Sequence, residues 1–338
     1  MRRRGMNYDV GTANDGVLLR PVFDPRVVRR ELEIIRDDLH CTAVRISGLD
    51  PDRLMPAAED ALRLGLEVWL SPQMSDHSPE ETLDYVVRCA TDAEALRRRR
   101  PGLVFMVGCE LSLFMRGILP GDNLMERIGG PAFVDSITTG AHNAPLNAFL
   151  TEAADTVHRV FAGEVTYASV PFERVDWSLF DFVCLDHYRE ARNRPFYDDQ
   201  LRPYLASGKP VVVTEFGCCT YRGAEDAGGM GWAIIEDTTP PRLDGDYVRD
   251  EGVQARELTD LLGIVDRAGV DGAFVFTFVM PAATYSDDPR FDLDMASYGL
   301  VKSFSDRTGT TYPDLPWEPK ESFHAVRDYF AGHGTAGT

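Results

Sequence analysis

No run of this sequence is long and apolar enough to cross a bilayer. No apolar stretch follows the opening Met-Arg-Arg-Arg either, because Asn7, Tyr8, Asp9, Asn14 and Asp15 interrupt at once. A leader peptide and a membrane partner are therefore not expected, and the chain reads as cytoplasmic. Histidine is scarce: seven residues, with no His-x-His or His-x-x-x-His pair. The six cysteines contain no Cys-x-x-Cys spacing. Neither a metal nor another cofactor is expected from such a set. Cys41, Cys89, Cys109 and Cys184 lie in or beside apolar runs, where cysteine acts as a small hydrophobe, and the adjacent Cys218 and Cys219 are poorly placed to bond each other. Positive charge is also short, with 35 Lys and Arg against 54 Asp and Glu, a formal net charge of −19. Such a surface repels phosphate backbones, so nucleic acid is not an expected partner.

What is present is a repeated alternation. Short apolar runs bounded by polar residues read as buried parallel strands at Gly5–Val10, Thr42–Ile46, Glu67–Leu70, Leu103–Val107, Val165–Ser169, Phe182–Leu185, Val211–Thr214 and Ala273–Phe276. Helical patterns lie between them. Val28, Leu32, Ile35 and Leu39 follow 4-3-4 spacing, with Asp24 and Pro25 placed as N-cap and first helical residue. Leu83, Val87 and Ala90 share a face, and Pro145–Phe161, Pro195–Ala206, Val253–Ala268 and Pro319–Phe330 read as further helices. Between Val165 and Phe182 there is no room for a full helix. Eight strand–helix units in 338 residues, 44 % of them hydrophobic, fit one closed (β/α)8 barrel over residues 1–338, with 332–338 expected as a disordered tail. A doubly wound open sheet is the alternative, but no Gly-x-Gly-x-x-Gly follows the first strand. Three connections are long, Leu111–Ala144, Phe216–Tyr247 and Val279–Trp317, and all three would rise from the barrel's C-terminal face.

Two of these loops begin just after a glutamate at a strand end. Glu110 closes Leu103-Val-Phe-Met-Val-Gly-Cys-Glu110, and Glu215 follows Pro210-Val-Val-Val-Thr. One such glutamate would be read as a strand-capping ion pair. Two at matched strand ends suggest a pair of carboxylates for glycosidic bond cleavage. Arg45, in Val44-Arg45-Ile46, is placed to keep a nearby carboxylate ionised, or simply to form a structural pair. Asp186, His187 and Tyr188 follow the sixth strand, Asn7 and Tyr8 the first, and Gln73 the third. Polar groups at these mouths suit sugar hydroxyls. Asp76 and His77 read as loop caps, whereas Asp292, Asp294 and Tyr298 sit on a loop long enough to close over a ligand.

The arrangement resembles the retaining (β/α)8 glycoside hydrolases of the clan whose catalytic glutamates follow strands four and seven. Thr214-Glu215-Phe-Gly is similar to the clan's nucleophile strand, and Val107-Gly-Cys-Glu110-Leu to its acid/base strand. The resemblance implies Glu215 as nucleophile, Glu110 as general acid/base, and Arg45, His187 and Tyr188 around the nucleophile. Two departures stand out. The clan usually has Asn before the acid/base, holding the substrate's 2-hydroxyl, and this chain has Cys109. The clan's Trp platform after strand eight is replaced by Phe276-Thr-Phe278, which leaves Phe278 or Trp232 as stacking faces. The expected activity is retaining hydrolysis of a small glycoside. Acid–base cyclisation or rearrangement of another small molecule is the alternative, and a non-catalytic sugar-binding barrel the third. The oligomeric state is left open.

Overall fold

The computed structural model describes residues 1–334 apart from 15 and 237. Eight parallel strands close into a barrel: β1 (Arg3–Asp9), β2 (Ala43–Gly48), β3 (Glu67–Pro72), β4 (Leu103–Cys109), β5 (Val165–Ser169), β6 (Val183–Asp186), β7 (Val211–Phe216) and β8 (Gly272–Val275). Neighbours in sequence are neighbours in the sheet, and β1 pairs both β2 and β8 to seal it. All eight expected strands are found, each end within two residues of its expected place. The last described helix continues through Gly334, past the start of the expected tail; residues 335–338 lie outside the described residues.

Alternation along the strands sorts side chains into two cores. Inside the barrel lie Ala43, Trp69, Val104, Met106, Cys109, Ala168, Phe182, Cys184, Val212 and Phe274. Trp69 packs on Phe182 and Phe274 with centroids 4.9 and 5.2 Å away, and Arg3 lies over the Trp69 and Phe182 rings, so aromatic mass fills the barrel's lower half. Outward residues such as Val44, Ile46, Val68, Leu70, Phe105 and Val213 pack on the helices.

The main outer helices are α1 (Pro25–Asp37), α2 (Pro51–Arg63), α3 (Pro79–Arg99), α4 (Asn143–Val160), α5 (Glu251–Ala268) and α6 (Glu321–Gly334). The expected cap of α1 is formed: Asp24 accepts from Arg26 N at 2.8 Å ahead of Pro25. The helix expected over Pro195–Ala206 is not one helix. It breaks into 3-10 turns at Arg194–Phe196 and Asp199–Leu201 and a single turn at Arg202–Leu205. Pro203 has no N–H and its ring crowds the carbonyl four residues back, which disfavours a helix interior; it sits instead in the first turn of Arg202–Leu205, where a proline is tolerated. The β5–β6 crossover holds only the 3-10 turn Trp177–Leu179, as its length implies.

Candidate active site

The strand ends bring Arg45, Cys109, Asp186, Glu215 and Tyr188 together at the C-terminal mouth. Arg45 points inward by simple alternation with Ala43. Glu215 does not, because Val212 and Thr214 already hold the inward positions of β7. The pairing of β7 slips a residue against both neighbours here, with Leu185 opposite Val213 but Asp186 opposite Glu215, and Ala273 opposite Val213 but Val275 opposite Phe216. This bulge aims Thr214 and Glu215 into the same pocket. A similar slip of β4 between Met106 and Cys109 turns Cys109 inward. Gly217 is required behind Glu215, since a Cβ there would lie 2.4 Å from the Phe276 carbonyl oxygen.

Glu215 is the centre of the hydrogen bonding. Arg45 Nη1 donates to its Oε1 at 2.7 Å and Tyr188 Oη to its Oε2 at 3.0 Å. Beneath it lies Asp186, fully buried, accepting from Thr214 Oγ1 at 2.7 Å and from the Cys109 thiol at 3.3 Å. Arg45 Nη1 also lies 3.6 Å from Asp186, so one guanidinium serves two carboxylates. Burial, then the charge of Asp186, pushes the Glu215 carboxyl up to about 7, against the opposing pull of Arg45 and Tyr188. Burial and the neighbouring carboxylates hold the Cys109 thiol well above its usual range, so it stays protonated. Ligand atoms of Cys109, Asp186 and Glu215 lie within 4.8 Å of one another, but the position a cation would take between them belongs to Arg45.

Glu110 stands apart. Its backbone is left-handed, φ 48° and ψ 42°, which costs a non-glycine residue on the order of 1–3 kcal/mol. Two bonds hold the chain just beyond it: Leu111 N donates to Tyr167 Oη at 2.7 Å, and Ser112 N to the buried Glu173 at 3.1 Å. No cation pairs with Glu110 among the described residues. Burial, then the charges of Asp186 and Glu215, raise its carboxyl well above the ordinary value. Two carboxyls of one pocket are thus set apart: Glu215 on an arginine, Glu110 in apolar and anionic surroundings.

Several sequence candidates lie elsewhere. Tyr8 points outward and bonds Glu31 of α1 in a buried network with Arg20 and Trp317. His187 also faces outward, stacked on Tyr197 at 4.1 Å with Nε2 bonded to its carbonyl; Asp186 and Tyr188 take the inward positions on either side. Phe278 is buried against Tyr8 and Trp317. The aromatic that meets Tyr188 is Phe276, in edge contact with Tyr188 and Tyr298; Trp232 packs partly buried against the same cluster. Asn7 stays inside the barrel, donating to the Thr214 carbonyl at 2.9 Å, and Gln73 lines a narrow crevice beside Cys109. Asp292 and Asp294 do not close over the pocket, because Arg249 pins them at 3.0 and 2.8 Å and buried Lys320 holds Asp294 at 2.9 Å. Asp76, as expected, is a structural partner, of the buried Arg127. Alternation from Cys184 would have selected Asp186 over His187. Nothing in the sequence announces the bulge in β7.

No protein-family model matches the chain, and no curated relative does. Solved structures do. A GH113 beta-1,4-mannanase aligns over 98% of this chain and 99% of its own, with a TM-score of 0.63 at 14% identity. The fold it shares with this chain is a closed (β/α)8 barrel. The Parabacteroides merdae beta-glucuronidase aligns over 98% of this chain and 36% of its own, with a TM-score of 0.60 at 16% identity. The endo-beta-1,4-mannanase from Thermotoga petrophila covers all of this chain with 78% of its own, at a TM-score of 0.55 and 12% identity. At such identities the likeness is one of fold.

Proposed function

We propose that this barrel is a retaining glycoside hydrolase acting on a small glycoside, with Glu215 as nucleophile and Glu110 as general acid, then base. The observation that carries the reading is the unequal treatment of two carboxyls in one pocket. Arg45 and Tyr188 stabilise an anion on Glu215 and orient its oxygens, as a nucleophile needs. Glu110 forms no ion pair among the described residues, and burial with the charges of Asp186 and Glu215 pushes its carboxyl toward the protonated form, as a proton donor to a leaving oxygen needs. Glu215 attacks the anomeric carbon while Glu110 protonates the departing oxygen. Water, deprotonated by Glu110, then releases the sugar. The mannan and glucuronide chemistries named for the structural neighbours set the first substrates to try.

Cys109 favours a second reading, acid–base cyclisation or rearrangement of another small molecule. A thiol bonded to Asp186 offers little to a sugar 2-hydroxyl. The test is a panel of activated aryl glycosides with Glu215→Ala and Glu110→Ala. Hydrolysis should fall at least 1000-fold in Glu215→Ala, and azide should restore product formation in both variants. Full activity in Glu215→Ala would end the nucleophile assignment. The absence of turnover on every glycoside would favour the second reading.

A further inference from the structure

Tyr298, on the long loop after β8, is buried beside the pocket and takes no part in the steps above. Its backbone carbonyl accepts from Thr277 N and from Gln254 Nε2, both at 3.2 Å. Its ring lies over Gly217, where a Cβ would come within 2.9 Å of Cδ1. It also meets Phe276 and Tyr188, with centroids 5.6 and 5.7 Å away.

The Tyr298 hydroxyl enters the loop after β7. It donates to the Gly228 carbonyl at 2.6 Å and accepts from Gly231 N at 3.0 Å. The direct bond between those two backbone groups is long, 3.3 Å, so the hydroxyl completes the 3-10 turn Gly228–Met230. That turn lies against Tyr188. A Cβ on Gly229 would stand 3.4 Å from Tyr188 Cδ2, and one on Gly228 3.0 Å from Glu190 Cβ. The Tyr188 ring is thus held between the edges of Phe276 and Tyr298 and the backbone of the turn, with its hydroxyl 3.0 Å from Glu215 Oε2. A tilt of that ring moves the hydroxyl most, because it is the atom furthest from the backbone.

We propose that Tyr298 is a positioning residue: its hydroxyl clamps the Gly228–Gly231 turn against the ring of Tyr188 and so holds the Tyr188 hydroxyl on Glu215 Oε2. Glu215 is faced by Arg45 of β2, by Cys109 and Glu110 at the end of β4, and by Asp186 and Tyr188 at the end of β6. Tyr298 is faced by Tyr188, Cys218, Cys219 and Tyr221. Burial holds the Tyr298 phenol and both thiols above their ordinary values, so they are neutral near pH 7. Tyr298→Phe therefore removes a hydroxyl and no charge, and acts on Glu215 through geometry. The effect on turnover rests on the reading of Glu215 as nucleophile; the effect on the Glu215 titration does not.

The test is the titration of the Glu215 carboxyl by carbon NMR of the intact protein, assigned with Glu215→Gln, beside the pH profile of kcat/KM. The Tyr188 hydrogen bond favours the Glu215 anion, so loosening it raises the titration. Tyr298→Phe should move it up from about 7 by about half to one pH unit, part of the one to two units that full loss of a bond to a charged group implies. In a Tyr188→Phe background the same substitution should move it no further. Gly231→Ala places a Cβ 3.1 Å from Tyr298 Oη and should shift the titration in the same direction. A tyrosine that only fills the core would lower the Tm and leave the titration in place. A folded Tyr298→Phe with an unmoved titration would overturn the proposal, as would an equal shift in the Tyr188→Phe background. Where Tyr298→Phe fails to fold, an unmoved titration in Gly231→Ala overturns it. A raised titration with an unmoved acid limb would support the clamp and count against Glu215 as nucleophile.

Discussion

Replacing Asp186 with asparagine removes a buried charge while keeping an oxygen for Thr214 Oγ1 to bond, so the local frame should persist. The charge matters because Asp186 and Glu215 share Arg45, with oxygens as close as 4.8 Å or less. At an effective dielectric constant near 20, two unit charges about 4.8 Å apart repel by roughly 3.5 kcal/mol, equivalent to about 2.5 pH units. That figure applies to a fully ionised Asp186. Burial also raises the Asp186 carboxyl, so the two groups share a proton over part of the range. A displacement of at least one pH unit is expected, and its sign is fixed. In its proposed role as nucleophile Glu215 must be ionised, so the acid limb of kcat/KM is expected to report the Glu215 value, placed at about 7. Removing the Asp186 anion eases ionisation of Glu215 and moves that limb down. Asp186 also raises Glu110, so the basic limb should move down with it, and the whole bell should shift toward acid. The assay is kcat/KM for an activated aryl glycoside from pH 4 to 10, with circular dichroism as a control for folding. A folded Asp186→Asn variant whose acid limb moves by less than about 0.3 pH units would refute this account of the site's electrostatics.

Tyr188→Phe should act in the opposite direction. A lost hydrogen bond to a charged group is worth about 1.5–3 kcal/mol, so the acid limb should rise by about one to two pH units, read from the same profile. Glu173→Gln should lower kcat more than it raises KM, because the buried carboxylate holds Ser112 N and Tyr167 behind Glu110; a KM effect alone would refute that positioning role. Glu215→Gln should be more stable relative to the parent at pH 8 than at pH 4.5. A carboxyl whose pKa rises on folding contributes stability that is present below its unfolded value, near 4.5, and lost as pH rises through about 7. Thermal denaturation at the two pH values checks it: the difference between variant and parent should change by up to about 3 kcal/mol, a change the pH-independent loss of the Arg45 partner does not enter.

The barrel was legible because buried parallel strands leave a simple trace: short apolar runs at regular spacing, separated by amphipathic helices. Strict alternation holds at Arg45, which points inward with Ala43. It failed where the backbone departs from period two. The bulge in β7 puts Thr214 and Glu215 on the same side, and their sequence has no feature that distinguishes them from a regular strand. Tyr8 and Phe278 were misplaced for a related reason. An aromatic at a strand mouth can face either core, and here Glu31 and Trp317 claim them for the outer one. The broken crossover at Pro203 was misread because apolar spacing is a property of side chains, whereas the missing N–H is a property of the backbone.

Cys109 and Asp186 are best understood together. An asparagine at 109 would place an amide N–H₂ beside a buried carboxylate and draw that donor away from any substrate. The thiol instead donates weakly to Asp186 at 3.3 Å and sits 3.8 Å from Glu215 without adding charge. Asp186 in turn draws part of Arg45 away from Glu215. The floor of the pocket is therefore a single unit of one cation, two carboxylates and a protonated thiol, and its proton count sets the ionisation of Glu215. Removing any member redistributes Arg45 among those that remain. Substitutions at Cys109, Asp186 and Arg45 should accordingly be non-additive in their effect on the Glu215 titration. The same burial that lifts Glu215 to about 7 is a cost to the folded state at neutral pH. The chain keeps an anion-prone group there at the expense of stability, as expected of a residue retained for chemistry rather than for packing.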